Sequence, residues 1–519
     1  MQSFSFQSLT PTAFLDRAAY VYPARRAVVD GDRHFTYREL HERARRVAGG
    51  LAGLGVSRGD RVAVLAPNSY ALLEAHNALP YAGGVVVPLN IRLHPDELSY
   101  IVGHSGAVAL IYDVAFANQA RTAVDGVDRD IRLVQAGGAD DGYEKLIEGS
   151  EELAIEVDEN ELLSINYTSG TTGRPKGVMY SHRGAYLQAL AMAFHSGMRA
   201  DSVYLWTVPM FHCNGWCFTW GVTAAGATHL CLRQVEGGAI WRSVREQGVT
   251  HLSAAPTVLS MIANDPAAEK GPAPNPVHVD TGGAPPSPAL LATLADLNMD
   301  VTHLYGLTES YGPVMLCEWQ PEWNDLPHDE QADLRARQGV GNVISEQPRV
   351  IDDNGNDVLA DGRTIGEIAL RGNNVMLGYF REEETTRRAT RTGWFRTGDL
   401  AVMHPNHYVE VRDRKKDVII SGGENIASIE VEQAIASHPD VLEVAVIARA
   451  DERWGEVPIA FVTAKPGREV TEDAIIAHVR ERIAHFKAPK AVRFGDLPKT
   501  STGKVRKHEL RDRVTSSDA

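Results

Sequence analysis

RVAVLAP, residues 61–67, is a short valine-rich apolar run without helical period. Such a run reads as a strand buried on both faces. GGVVVPLN (83–90) and VALIYD (108–113) repeat the signal. Upstream, Thr36 and Glu39 have capping-box spacing at a helix start, and Leu40, Ala44, Val47 and Leu51 then share one helical face. Gly53 and Gly55 punctuate its end. Downstream, GVTHLSAAP (248–256), VHVDTGGAP (277–285) and DVTHLYG (300–306) resume the strand pattern, with helical stretches between them. Apolar strands alternating with helices predict an α/β fold of parallel-rich sheets flanked by helices.

The polar stretch EWQPEWNDLPHDEQADLRARQ (318–338) reads as a surface excursion. Beyond about residue 415 the style changes. Helices are expected over 429–439 and 471–486 and strands over 442–450 and 458–465, a small α+β unit. The 519 residues carry 52 Lys+Arg against 67 Asp+Glu, a formal net charge of −15. That balance argues against nucleic acid as a partner, because such binding draws on phosphate neutralisation. The four cysteines (213, 217, 231, 317) are too few for a disulfide framework and lack zinc spacing. No apolar run approaches a membrane span, and neither end carries a signal, lipidation or sorting motif, so a cytoplasmic protein is expected.

Five segments carry chemistry. YTSGTTGRPKG (167–177) is packed with Gly, Ser and Thr, whose N–H and hydroxyl groups can surround phosphate oxygens, with Arg174 and Lys176 adding charge. Taken alone, such a stretch is more often simply a solvated surface loop. It is not a Walker A loop. Lys176 follows a proline, and Gly503-Lys504 is followed by Val505 with Pro498 where the first Gly should stand. YGLTES (305–310) sits at a strand end, where open α/β sheets bind ligands. There Tyr305 can stack on a base, Thr308 can bond a phosphate and Glu309 can hold Mg2+. RTGDL (396–400) places Asp399 after a Gly, as a ribose acceptor or simply a turn. DRKKDVIISGGEN (413–425) reads as a linker plus hairpin, and PKTSTGKVRK (498–507) as a basic, solvated tail.

Together, in this order and spacing, these segments closely resemble the adenylate-forming (AMP-binding) superfamily, specifically its acyl-CoA synthetases, from about residue 10 to 510. The resemblance implies a larger ATP- and acyl-binding domain over residues 1–415. It also implies a mobile C-terminal domain over 416–519 that carries the catalytic lysine. It implies an acid–CoA ligase: a carboxylate attacks the α-phosphate of MgATP, giving acyl-AMP and pyrophosphate, and the thiol of coenzyme A then displaces AMP. Thr168, Ser169, Gly170, Thr171, Thr172, Gly173 and Lys176 are implied to surround the β- and γ-phosphates. Thr308 would contact the α-phosphate, and Glu309, with Thr168, would hold Mg2+. Gly283, Ala284, Pro285 and Tyr305 would frame adenine, and Asp399 and Arg414 the ribose. Lys504 would bridge acyl carboxylate and phosphate. Lys416 matches the hinge, and Gly422 and Gly423 would let pantetheine pass.

PMFHCNGWCFTW (209–220) is by composition a core helix with aromatic packing. The resemblance makes it the acyl-site wall, with His212 near the carboxylate end. The acidic residue that amino-acid-activating relatives use is not evident, since Cys213 and Asn214 stand there. That argues against an amino acid; the SGGENI (421–426) wording and the PMFHCNGW context look most like fatty acyl-CoA synthetases, so the resemblance implies a short- or medium-chain fatty acid, with an aryl acid or a carrier-protein acceptor as the alternative. A homodimer is possible on family grounds.

Overall fold

Thr36 does cap a helix. Its hydroxyl accepts from the Glu39 amide, the Glu39 carboxylate accepts from the Thr36 amide, and helix Tyr37–Gly53 buries Leu40, Ala44, Val47 and Leu51. The valine-rich runs become strands Arg61–Leu65, Val85–Pro88 and Ala107–Asp113, hydrogen-bonded in parallel. The computed structural model describes residues 6–168, 174–422, 424–451, 453–500 and 504–517.

Two large sheets form the body. One has seven described strands, with Arg61–Leu65 between Val85–Pro88 and Ala107–Asp113 near one end. The hairpin Leu162–Thr168 and Lys176–Ser181 lies towards the other end, followed by the two-residue strand Gly378–Tyr379. The other sheet has nine, with His251–Ala254, Val277–Thr281 and Met299–Leu307 in parallel and Gly312–Leu316 antiparallel beyond them. One apolar core that includes Val64, Tyr180, Trp206, Trp220 and Tyr311 binds the two sheets together. A third, antiparallel sheet orders Arg349–Ile351, Ile365–Leu370, Phe395–Met403 and Val409–Arg414, an element without a clear apolar run to announce it.

The C-terminal domain is built on strands Glu424–Ile426, Ile419–Ser421, Gly455–Ala464 and Val441–Asp451, with Ala491–Phe494 beside the third of these. Its described core residues, from Ile419 to Val514, draw on nothing earlier in the chain. The helix expected over 471–486 is shorter, Glu472–Arg480 followed by a turn at His485–Lys487.

Residues 318–338 are more than an excursion. They form the turn Pro321–Asp325 and helix His328–Arg335, folded over Trp319. The Trp319 ring meets Trp323 edge-on at 5.2 Å and carries the Arg335 guanidinium at 4.0 Å. Packing of two half-buried tryptophans against each other and against a stacked arginine holds the polar stretch together. Among the described residues, no helix is long and apolar enough to cross a membrane.

Candidate active site

Thr168 and Lys176 are paired across the antiparallel hairpin, so the Gly/Ser/Thr segment is the connection between two buried strands. Ser169, Gly170, Thr171, Thr172 and Gly173 lie outside the described residues. At the hairpin's base the Lys176 ammonium sits 5.3 Å over the Tyr379 ring and 3.9 Å from Glu382. That ion pair is long and solvent-exposed, a weak hold that leaves the ammonium available to an anion.

Glu309 is fixed more firmly. Strand Met299–Leu307 ends in a single tight turn, Thr308–Ser310. There the Ser310 hydroxyl accepts from the Leu307 amide at 2.9 Å and donates to the Gly312 carbonyl at 2.8 Å. The strand doubles back so closely that a Cβ on Gly306 would lie 1.9 Å from the Gly312 oxygen, which requires glycine in YGLTES. The Tyr180 hydroxyl donates to the Thr308 carbonyl at 2.6 Å. The Tyr379 hydroxyl donates to Glu309 Oε1 at 2.7 Å, and the Met376 amide to the Glu309 carbonyl at 2.8 Å. Among the described residues the carboxylate is held at one oxygen, and the other can still accept. A lone carboxylate with a hydroxyl nearby suits Mg2+, which keeps water and phosphate oxygens as its remaining ligands. Among the described residues, no cage of three or more His, Cys, Asp or Glu competes with that reading.

Asp399 is not in a turn. It lies inside strand Phe395–Met403, at a bulge opposite Glu367–Ala369. Gly398 there takes φ +77°, and its amide donates to Glu367 Oε1 at 3.0 Å. The bulge aims the buried Asp399 carboxylate at two partners. Tyr305 Oη donates to Oδ2 at 2.7 Å, and Arg414 Nε faces Oδ1 at 3.3 Å. Each oxygen keeps a lone pair for a vicinal diol. Burial pushes the Tyr305 phenol up, so it stays a donor. Gly283, Ala284 and Pro285 follow strand Val277–Thr281, the parallel neighbour of the Tyr305 strand, so those four residues share one sheet end.

Lys504 is not on a loose tail. Lys499 bridges Val505, the Thr500 amide donates to the Lys504 carbonyl at 2.7 Å, and the Lys504 amide donates to Thr500 Oγ1 at 3.1 Å. Solvent reaches the Lys504 side chain, yet protein crowds it in the cleft between the domains. That crowding, with Arg414 and then Lys416 adding repulsion against Asp399 and Asp417, pulls its pKa down to about 8. The Lys504 charge also reaches His212. Desolvation first, and that charge second, lower the His212 pKa to about 4, so at neutral pH the imidazole is uncharged. Lys504 therefore lies within electrostatic reach of Asp399, Arg414 and His212, and Lys416 within reach of Asp399 and Arg414.

The acyl-wall segment is not the helix expected. Cys213, Asn214, Gly215, Trp216 and Cys217 all have φ between +43° and +63°, one turn of left-handed coil, and the right-handed helix Phe218–Ala225 begins only after it. Buried hydrogen bonds hold the turn in place. The Asn214 amide donates to Asn166 Oδ1 at 2.8 Å, while Asn214 Oδ1 accepts from Asn166 Nδ2 at 2.7 Å and Ser164 Oγ at 2.9 Å. Trp216 extends towards Gly282, and its backbone crosses Gly312. Burial raises the Cys213 thiol to about 12, so it is an uncharged wall atom beside Thr308.

Gly422 is apart from this group. It forms the turn of the hairpin Ile419–Ser421/Glu424–Ile426, beneath the Trp454 ring, and its amide donates to the Trp454 carbonyl at 2.7 Å. Gly423 lies outside the described residues. Sequence reasoning missed Tyr379, Tyr180 and the Asn166–Asn214 pair. Tyr379 belongs to a two-residue strand with no periodic signal, Tyr180 and Asn166 flank the Gly/Ser/Thr stretch outside its quoted residues, and Asn214 is read there only as standing where amino-acid-activating relatives carry an acid.

The AMP-binding enzyme family model matches residues 15–380, and the AMP-binding enzyme C-terminal domain model matches 430–504. The chain is 44% identical to the acetate–CoA ligase CCL3 of Humulus lupulus, over 99% of this chain and 96% of that protein. It is 43% identical to the peroxisomal acetate/butyrate–CoA ligase AAE7 of Arabidopsis thaliana, over 98% and 95% respectively. Among solved structures it is similar to ATP-bound MatB from Rhodopseudomonas palustris. The TM-score is 0.87 and the identity 26%, over 99% of this chain and 100% of that one.

Proposed function

The chain belongs to the AMP-binding enzyme family, and from that premise we propose that it joins a short- or medium-chain fatty acid to coenzyme A through an acyl-AMP. The observation that carries this reading is the place of Lys504, from the C-terminal domain, within electrostatic reach of His212 and of the Asp399–Arg414 pair of the larger one.

Two anions must meet in the first half-reaction, so the catalytic task is neutralisation and positioning. Lys504 places one ammonium between the acyl carboxylate and the α-phosphate. Lys176 and the segment 169–173 take the β- and γ-phosphates, and Thr308 the α-phosphate. Asp399 accepts the ribose hydroxyls, with Tyr305 and Arg414 holding its carboxylate still. Glu309 and Thr168 are the residues suited to hold Mg2+, which supplies charge neutralisation on the phosphates. His212, uncharged, orients the acyl carboxylate by hydrogen bonding. The neutral, apolar wall of Cys213 and Trp216 favours an alkyl chain over an α-amino acid. In the second half-reaction the body after Lys416 turns, Lys504 withdraws, and the Ser421–Asn425 hairpin approaches the thiol. The division between residues 1–415 and 416–519 follows from that hinge.

The test is a quenched reaction of MgATP, coenzyme A and a panel of alkanoic and aryl acids, read by mass spectrometry. Acyl-CoA with AMP, greatest for alkanoates of short or medium chain, is the expected result. Acyl-AMP without thioester would point to a carrier protein as acceptor, and preference for benzoates would overturn the alkyl reading.

The pH dependence follows from Lys504. Only its ammonium is useful, and its pKa lies near 8. Adenylation by the free enzyme is therefore level around neutrality. Above that pKa it falls, by about tenfold per pH unit once the neutral amine dominates. A profile of pyrophosphate release that stays flat to pH 10 would remove Lys504 from this role.

A further inference from the structure

Successive side chains of a strand point to opposite faces, and strand Val409–Arg414 uses both at its end. Arg414 turns to Asp399 in the nucleotide site. Asp413, almost fully buried, turns to the C-terminal domain. Asp413 Oδ2 accepts from the Ser428 amide, and Oδ1 accepts from Ser428 Oγ at 3.1 Å. Ser428 is the first residue of helix Ser428–Ala436. Its hydroxyl also accepts from Lys507 Nζ at 2.7 Å, and Lys507 pairs with Glu432 at 2.7 Å. Lys507 stands three residues after Lys504, at the start of helix Lys507–Ser517, whose Arg511 reaches Asp417 at 2.5 Å. A continuous path of polar contacts thus runs from the larger domain through Asp413, Ser428 and Lys507 to the arm that presents Lys504.

We propose that Asp413 is a positioning residue for the first half-reaction, the fixed half of a latch across the hinge. Gripping Ser428 holds Lys504 in its adenylating seat, and releasing it lets the domain turn. The proposal rests on the ligase reading above. The argument is topological. Lys416 lies between Asp413 and Ser428 in the chain. A rotation there carries Ser428, Glu432, Lys507 and Arg511 as one body, so their contacts survive. Asp413 stays with its sheet, paired to Leu400, and its bonds to Ser428 are cut. Charge-assisted bonds to a buried carboxylate are the strong kind, so this contact weighs on the balance between the two orientations.

The test uses the full chain and separates the half-reactions. One assay follows pyrophosphate release from MgATP and butyrate, and the other follows thioester formation from synthetic butyryl-AMP and coenzyme A. Asp413→Asn and Ser428→Ala are expected to slow the first by about tenfold or more while leaving the second unchanged or faster. Hydrogen–deuterium exchange should rise in 428–436 and 504–511 of the unliganded variants. Equal loss in both assays, or no loss in either, overturns the latch. Should either variant unfold, the other and Lys507→Met carry the comparison. Should the wild type adenylate no acid at all, the ligase reading fails by itself. The latch is then decided by exchange alone, with unchanged protection in 428–436 of Asp413→Asn overturning it.

Discussion

Lys504→Ala slows pyrophosphate release by about a hundredfold to a thousandfold, the scale set by removing one preorganised charge from a site of developing charge. Thioester formation from supplied acyl-AMP and coenzyme A stays within about twofold of wild type, because AMP departure no longer needs an ammonium between two anions. The structure gives reasons for so large an effect. The backbone of the lysine is braced, with Thr500 bonded to both its amide and its carbonyl, so the ammonium arrives with little ordering left to do. Arg414 is already committed to Asp399 and offers no ready substitute. Measuring the two half-reactions separately decides the matter, and equal damage to both would mean that the substitution disturbs the site as a whole.

Glu309→Gln is expected to cost adenylation about a hundredfold. The amide keeps the size of the side chain and can still accept from Tyr379, so the change is one of charge at a single oxygen. A readout independent of turnover is available. The affinity of Mn2+ for the enzyme–ATP complex, followed by electron paramagnetic resonance, should fall in parallel. Tyr379→Phe acts through the same carboxylate more mildly, about tenfold, and raised Mg2+ restores much of the rate. Unaltered Mn2+ affinity in Glu309→Gln would remove the carboxylate from metal binding.

The parts of the molecule that could be read from residues alone were those governed by local rules. The capping box at Thr36 and Glu39 needs four residues, and the run at 61–65 needs only burial on both faces. YGLTES was placed correctly at a strand end because an apolar run led into it. What escaped is decided by distant partners. Asp399 looked like a turn residue because the bulge around Gly398 is held by Glu367, some thirty residues earlier, whose carboxylate accepts from the Gly398 amide. The Lys504 loop looked like a tail because the Lys499–Val505 bridge leaves no trace in composition. Tyr379 meets Glu309 only after the seven-stranded sheet has formed, and no periodicity within a two-residue strand could announce it.

The left-handed turn at Cys213–Cys217 changes how mutagenesis of this wall must be interpreted. In an ordinary helix alanine is the benign reference, since it adds nothing and strains nothing. Here each non-glycine residue already bears about 1–2 kcal/mol of backbone strain, and alanine inherits it while discarding the contacts that offset it. An alanine scan across 213–217 would therefore report the cost of keeping a mirror-image backbone, and mistake it for the importance of each side chain to the substrate. Glycine, and at some positions asparagine, is the informative reference, because it relaxes the backbone and isolates the side chain. By that measure Asn214, whose side chain is tied to both Ser164 and Asn166, is the residue about which the turn is organised.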